Sequence, residues 1–407
     1  MTIQTYHEIC DTLRGMIAGT EWEGHVFAVG GCCRDEVMGR EINDVDLAVT
    51  IRDGGVGFAR WLFANGNTVA RPVYFERYGT AMLQLKDFPE HEIEIVQTRK
   101  GKYGPDNEED PGSVFGTIDD DAFRRDFTVN SLFYDITAKK LIDVTGLGLK
   151  DIAAKKLRTP ASPELTFYDD PVRILRCIRM ASAWHWAIAA KTMKAMIDGR
   201  EGLKEIKPER RRAESEKMLM CADPVRAMKL VRSVGVMNFL MPELQYTYKS
   251  RGKTGVTQWT MALKTLDAAQ GNKSMSLHYA ALLYVIADTP LLCGTSGRKD
   301  NSDTTQKAVN LAEHIMRRLH YHSHFLKEVL FLIRNCKCNH RWGDDGMHAG
   351  DRMLMRLSRL CVTSKRLNRL LDFLEAVNIA RTNADSPLRR QIPNIRSKMA
   401  RLKLLND

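Results

Sequence analysis

Two aspartates stand two residues apart, Asp44 and Asp46, at the start of an apolar run that reads as a strand over Val45 to Ile51. Side chains alternate along a strand, so residues i and i+2 share a face and both carboxylates project together. Two carboxylates that close repel one another unless they share a proton or bind a cation. Hard oxygen ligands on one face suit Mg2+, which keeps water and takes the rest of its shell from phosphates. Glu94, in the alternating run Glu92-Ile93-Glu94-Ile95, is a candidate third oxygen ligand. Taken alone, an Asp-x-Asp is most often a turn or a helix cap.

Gly30 and Gly31 lie between a strand-like run, His25 to Val29, and a helical pattern over Cys33 to Met38. Without Cβ atoms their amides can approach a phosphate at a helix N-terminus, and Arg34, one turn along, adds positive charge. A lone Gly-Gly is usually just a turn. The order strand, Gly-Gly, helix, strand-borne Asp-x-Asp is far rarer by chance. Further on, Arg173, Arg176 and Arg179 recur every three residues in a helical pattern, with Ile174 and Ile178 on another side. Read blind, such a stripe is most often a solvated face.

The elements that must position these residues are of two kinds. Up to about residue 150 the chain alternates helix and strand signals: a helix over Tyr6 to Ile17, and strands including Ala81 to Leu85 and Glu92 to Thr98. Gly101 to Asp121, rich in Gly, Pro and acids, reads as a mobile loop. From about Asp169 onward helical patterns dominate, punctuated by Pro208, Pro242 and a linker-like stretch from Gly294 to Asp303. The fold class is α+β, a small mixed sheet with helices followed by an elongated all-helical body.

Composition narrows the function classes. The 407 residues carry 61 Lys and Arg against 50 Asp and Glu. From Asp351 to the end there are 13 basic and 5 acidic residues, a net of +8 out of the chain's +11, which suits a polyanion such as RNA. A solvated helical surface is the alternative. Nine scattered cysteines show no disulfide framework and point to a reducing cytoplasm. Cys336-Lys337-Cys338-Asn339-His340 has single-residue gaps, unlike ordinary zinc sites. The N-terminus lacks a basic region followed by an apolar one, and no run of roughly 18 apolar residues occurs, which argues against secretion and membrane spanning.

The segment Gly30-Gly31-Cys32-Cys33-Arg34-Asp35, with Gly39 and Asp44-Val45-Asp46, resembles the first motif of the class II nucleotidyltransferases, the CCA-adding enzymes and bacterial poly(A) polymerases. Cys32 and Cys33 replace the small or β-branched residues usual there. Arg124-Arg125-Asp126-Phe127-Thr128-Val129-Asn130-Ser131 is similar to the ribose-sensing motif, and Asp143 to Arg158 to the connecting segment. Asp169-Asp170-Pro171-Val172-Arg173-Ile174-Leu175-Arg176 resembles the nucleobase-reading motif, with Asp169 where the family has Glu. Glu209-Arg210 with Glu214 looks like the following helix motif. The resemblance covers roughly residues 25–245 in the family's order.

What the resemblance implies is specific. The head would be polymerase β-like and catalytic over residues 1–150. A nucleobase-recognition neck would span 151–245, and a helical body with the basic, RNA-binding tail 246–407. Asp44 and Asp46 would hold two Mg2+ ions, one lowering the pKa of an RNA 3′-hydroxyl and the other stabilising the pyrophosphate, with Glu94 beside them. Gly30, Gly31 and Arg34 would contact the triphosphate; Arg125, Asp126 and Asn130 the sugar–phosphate part; and Arg173, Arg176 and Arg179 would line the nucleotide side. Asp170 and Arg173, one helical turn apart, would pair with the amino-donor, ring-acceptor edge shared by cytosine and adenine, which selects CTP and ATP without a template. The implied activity is CCA addition to the 3′ end of tRNA.

Ser276 to Asp288 resembles a helix that in many family members carries a His-Asp metal-hydrolase signature. Here Tyr284-Val285 take those places, so a degenerate segment with His278 as a satisfied helix residue is expected. A poly(A) polymerase would share every catalytic residue, but Arg77-Tyr78-Gly79-Thr80-Ala81 lacks the Arg-Arg-Phe-Arg-type run associated with that branch. A non-catalytic RNA-binding protein would have no need of the aspartate pair, and a metal phosphohydrolase is disfavoured by the missing His-Asp.

Overall fold

The computed structural model describes residues 1–101, 115–252, 255–289, 301–337, 351–382 and 387–401. Seven strands, β1 (Val26–Val29), β2 (Val45–Val49), β3 (Val73–Phe75), β4 (Thr80–Leu85), β5 (Phe88–Gln97), β6 (Leu132–Asp135) and β7 (Lys140–Asp143), form one sheet in the order β3-β4-β5-β2-β1-β6-β7. β2 and β5 pair in parallel and the other neighbours are antiparallel. This is the mixed sheet with helices that the α+β reading requires, and a largely helical body follows it.

One face of the sheet is closed by α1 (Ile3–Ile17), followed in the chain by the short α2 (Gly31–Val37), and by α3 (Gly54–Ala64). Thr2 caps α1, its Oγ1 accepting from the Thr5 amide at 3.1 Å, and Tyr6, Ile9, Leu13 and Ile17 recur at helical spacing on the buried side. They pack with Phe58 and Leu62 of α3 on Val26 and Ala28 of β1, Val45, Leu47 and Val49 of β2, and Ile93 and Ile95 of β5. The alternate residues Phe27, Val29 and Ala48 join Ala122 and Phe133 in a smaller cluster on the opposite face. The alternation of β2 and β5 therefore puts Asp46 and Glu94 on that second face, away from the larger core.

The expected loop from Gly101 to Asp121 is corrected at its end: residues 118–121 begin α4 (Ile118–Arg124). A capping box starts it, with Thr117 Oγ1 accepting from the Asp120 amide at 3.1 Å and Asp120 Oδ2 accepting from the Thr117 amide at 2.9 Å. Residues 102–114 of that stretch lie outside the described residues, as do residues 294–300 of the linker-like stretch and Cys338 and His340.

α5 (Gly148–Ala153), α6 (Pro163–Asp169), α7 (Val172–Ala183) and α8 (Ala190–Gly199) continue the chain. Two compact units result, Met1–Cys177 with His185–Gly202, and Ile178–Trp184 with Leu203–Asp407; the expected boundaries at 150 and 245 fall inside the first and the second. In the second unit, where α9 (Pro208–Leu219) is followed by further helices, Trp259, Tyr279, Tyr284 and Phe373 are fully buried. Tyr284 bonds Thr265 through its hydroxyl at 2.9 Å, and Val285 is buried beside it, so both serve the core. His278 is buried with Nε2 3.2 Å from the Ala269 carbonyl, and burial lowers its pKa. No helix among the described residues is long and apolar enough to cross a membrane.

Candidate active site

Asp46 and Glu94 are register partners on the parallel strands β2 and β5, so the two carboxylates stand side by side on the face opposite the larger core. Asp44 precedes β2 by one residue and is exposed. Burial pushes the Asp46 carboxyl above the usual carboxylate range; Arg125 opposes this, and Asp44 adds to it. Burial likewise raises Glu94, with Asp46 adding to the rise and Arg99 opposing it. The folded chain thus holds a negative cluster that a cation would relieve. Among the described residues no three His, Cys, Asp or Glu side chains gather into a ready-made metal cage. A two-carboxylate platform completed by water and phosphate fits these residues better.

The glycine turn meets this cluster. Gly30 has a φ of +79°, and a Cβ built on it would lie 3.1 Å from Arg125 Nη1 and 4.0 Å from Asp46 Oδ2. Its missing side chain is what lets the β1–α2 turn, Arg125 and Asp46 converge. Gly30→Ala is therefore expected to strain the backbone and displace Arg125, lowering stability by about 1–2 kcal/mol. Thermal melting would register the loss, and an unaltered melting temperature would sink this account of the turn. Below α2, Cys33 Sγ donates to the Ala28 carbonyl and Cys32 Sγ to the Val29 carbonyl, each at 3.3 Å, and both thiols are buried. Small side chains with one weak donor fit there, which accommodates the departure noted at these positions.

The arginines are held by acids that the sequence reading did not single out. Asp121 Oδ2 accepts from Arg125 Nε at 3.0 Å and from Nη2 at 2.7 Å, and its Oδ1 accepts from the Arg99 amide at 3.4 Å. Asp35 takes both arms of Arg34, Nε at 2.9 Å and Nη2 at 2.6 Å. Asp121 is four residues before Arg125 on a helix, the spacing that brings side chains together, so that signal was present. Arg34 Nη1 also donates to Asn130 Oδ1 at 2.6 Å, and Asn130 Nδ2 donates to Asp126 Oδ1 at 2.8 Å. Asp126 Oδ2 accepts from Arg176 Nε at 2.8 Å. Burial would raise Asp126, but Arg176, Asn130 and Arg173 outweigh it and hold the carboxyl down at about 2. Asp35, Arg34, Asn130, Asp126 and Arg176 thus form one polar chain, linking the turn after β1 to α7.

Of the two expected base readers only Arg173 lies in α7; Asp170 is the extended residue that ends α6, two positions before α7 begins, which corrects the expectation of one helical turn between them. Asp170 Oδ1 accepts from the Val172 amide at 3.2 Å. Arg173, buried, donates from Nη2 to the Arg124 carbonyl at 2.8 Å. Arg173 also lines a cavity of about 320 Å3 with Arg124, Phe123, Leu165 and Asp169. Arg179 falls in the second unit, where its Nε donates to Glu214 Oε2 at 2.8 Å. The structure therefore brings Gly30, Arg34, Asp46, Glu94, Arg125, Asp126, Asn130 and Arg176 into one network, with Gly31 at the head of α2.

The first unit has the architecture of a nucleotidyltransferase head, and the whole chain resembles solved members of that class. The structure of the Bacillus stearothermophilus CCA-adding enzyme in complex with CTP superposes with a TM-score of 0.64 at 21% identity, over 98% of this chain and 82% of that one. Residues 26–158 match the poly A polymerase head domain, and residues 186–247 match a family described as the probable RNA and SrmB-binding site of polymerase A. A tRNA nucleotidyltransferase of Schizosaccharomyces pombe is 34% identical over 238 residues, 54% of this chain and 48% of that protein. A poly(A) polymerase I of Haemophilus influenzae is 31% identical over 226 residues, again 54% and 48%. The chain spans about half the length of the curated relatives it matches. It belongs to the class II nucleotidyltransferase family of CCA-adding enzymes and poly(A) polymerases.

Proposed function

We propose that this chain adds CCA to the 3′ ends of tRNA from CTP and ATP, without a template, releasing pyrophosphate. The observation that carries the reading is the pairing of Asp46 with Glu94 on one sheet face, with Gly30 and Arg125 against Asp46. Asp44 and Asp46 would hold the two Mg2+ ions, and bound metal would supply Lewis-acid stabilisation of the charge that develops on the phosphates. Arg34 and the Gly30-Gly31 turn bind the triphosphate. Arg125, fixed by Asp121, faces the sugar–phosphate part, and Asp126 orients Asn130 and Arg176 around it. At the base, Asp170 accepts from an exocyclic amino group while Arg173 donates to a ring nitrogen, so uracil and guanine would leave both groups mismatched.

The decisive assay offers Mg2+, tRNA lacking its 3′ end and each NTP, singly and mixed, and sizes the products. Arrest after C, C and A supports the proposal. A long A tail would transfer the chain to the poly(A) branch, which its 31% identity to the Haemophilus enzyme supports. Against that branch stands Arg77-Tyr78-Gly79-Thr80-Ala81, which lacks the expected arginine run. No extension with any NTP would leave an RNA-binding protein. In the active enzyme, Asp170→Ala is expected to reduce the preference for CTP over UTP on the order of a hundredfold. Unchanged discrimination would remove Asp170 from base reading.

A further inference from the structure

The sheet face that carries Asp46 and Glu94 does not end there. Strand register continues the row across β4 and β3: Asp46 pairs with Glu94, Glu94 with Met82, and Met82 with Val73. A second row, two residues along, runs Ala48, Val96, Thr80, Phe75. Directly paired residues share a face, so Val73 and Phe75 lie on the same face as the carboxylates, while Tyr74 packs into the larger core on the other. Val73 is 57% and Phe75 41% exposed, and Tyr78, just past β3, is 51% exposed. A small sheet rarely leaves several large apolar side chains in a row uncovered without a use for them.

Charge along this face changes sign. Glu92, opposite Gln84, lies towards the Phe88 end of β5. The other end carries Arg52, Arg77 and Lys100, all exposed, and Arg99, an excess of cations over the exposed acids there, Asp53 and Glu76, of which Glu76 is paired with Arg60. Arg99 Nη2 donates to Thr80 Oγ1 at 3.3 Å, on the second row, and Arg99 is close enough to Glu94 to lower its pKa. Arg99 Nε is buried with no hydrogen-bond partner among the described residues. Arg52 also stacks over Phe115, 5.9 Å from the ring centroid. Cations beside two exposed rings, Phe75 at the end of β3 and Tyr78 in the 3-10 turn that follows, are what a single nucleic-acid strand needs, phosphates meeting the cations and bases stacking on the rings.

We propose that this outer half of the sheet, Val73, Phe75 and Tyr78 with Arg77 and Arg99, is the track for the single-stranded RNA nucleotides just upstream of the reacting 3′ end. The inference rests on the proposed transfer reaction and adds to it the direction from which the acceptor strand approaches. Three strand spacings separate Asp46 from Val73, about 14 Å. At a rise of ~3.4 Å per stacked base, that span holds roughly four nucleotides. Continuity with the carboxylate rows and the positive charge select a polyanionic strand over an apolar partner.

The test uses the full chain with Phe75→Ala/Tyr78→Ala and, separately, Arg77→Glu. Fluorescence anisotropy with a 3′-truncated tRNA, and steady-state kinetics with CTP and Mg2+, read RNA and nucleotide binding independently. The double variant is expected to weaken RNA binding about tenfold or more, with KM for CTP at saturating RNA within about twofold of the parent. Arg77→Glu should weaken binding more at low salt than at high. As a readout that survives a folding defect, 5-iodouridine within the last four nucleotides of the parent's RNA should crosslink to Phe75 or Tyr78. Crosslinks confined elsewhere, or RNA affinity equal to the parent's in both variants, would overturn the track. So would a change in oligomeric mass without a change in RNA affinity, which would make the face a protein contact. If the parent extends no RNA but the variants still lose affinity and crosslinks, the transfer reaction falls and the track stands.

Discussion

Asp46→Asn is expected to lower nucleotide incorporation on the order of a thousandfold or more while leaving the protein at least as stable as the parent. The two halves of this result have one cause. Burial raises the Asp46 carboxyl pKa, and at neutral pH the charged form is held at a cost to the fold. A group whose folded value lies above its unfolded value contributes its stabilisation at low pH and loses it as pH rises, so at pH 7 a neutral amide of the same shape relieves the strain. The amide also removes a charged oxygen ligand, which the proposed chemistry cannot spare. Thermal melting in the presence of EDTA, beside single-turnover incorporation with Mg2+, separates the two effects. A variant that melts well below the parent would contradict the strained-carboxylate account, and one that retains full activity would end the catalytic reading.

Asp126→Ala is expected to destabilise the first unit by about 1–3 kcal/mol, because it removes the buried carboxylate that accepts from both Asn130 and the partly exposed Arg176. The second unit has no share in this contact, so it provides an internal reference. Hydrogen exchange should accelerate in peptides covering residues 118–135 and leave those from 258–283 little changed. Equal acceleration in both would show that the effect is not local to the Asp126 network. The same carboxylate predicts a pH dependence. Its folded value of about 2 lies below the unfolded value of about 3.9, so its contribution is complete above pH ~4 and lost as pH falls towards 2. The shift corresponds to roughly 2–3 kcal/mol, and a flatter decline between pH 4 and 2 in Asp126→Asn, followed by urea unfolding of the first unit, is the expected signature. An identical decline in parent and variant would assign the acid sensitivity to other groups.

The parts of the site that were legible in the sequence are those governed by short-range geometry. The Gly-Gly turn and the Asp-x-Asp at the head of a strand declare themselves within a few residues, as does the arginine repeat of α7, of which Arg176 joins the polar chain whereas Arg179 pairs with Glu214. Strands such as β3 and β7 escaped notice because they are short, three and four residues, and carry little alternation. The start of α4 reads as loop in the sequence because acidic composition masks its capping box, a pairing of Thr117 with Asp120 at the spacing such boxes require. Asp35, which the sequence offers only as part of the first motif, and Asp121, which it offers only as the end of an acidic stretch, each hold an arginine of the site in place.

By itself, the sequence determined the chemistry on offer: two carboxylates two residues apart at the start of a strand, a glycine turn where a side chain would collide, and cations in helical order. Only the tertiary structure decided which partners meet. Asp46 finds Glu94 through the register of a parallel pair, Arg34 reaches Asn130 from 96 residues away, and Asp126 receives Arg176 from 50. Side-chain periodicity follows from the geometry of a single strand or helix, whereas register and arginine–acid pairing are settled by burial shared among distant segments, where the cost of an unpaired buried charge selects one arrangement.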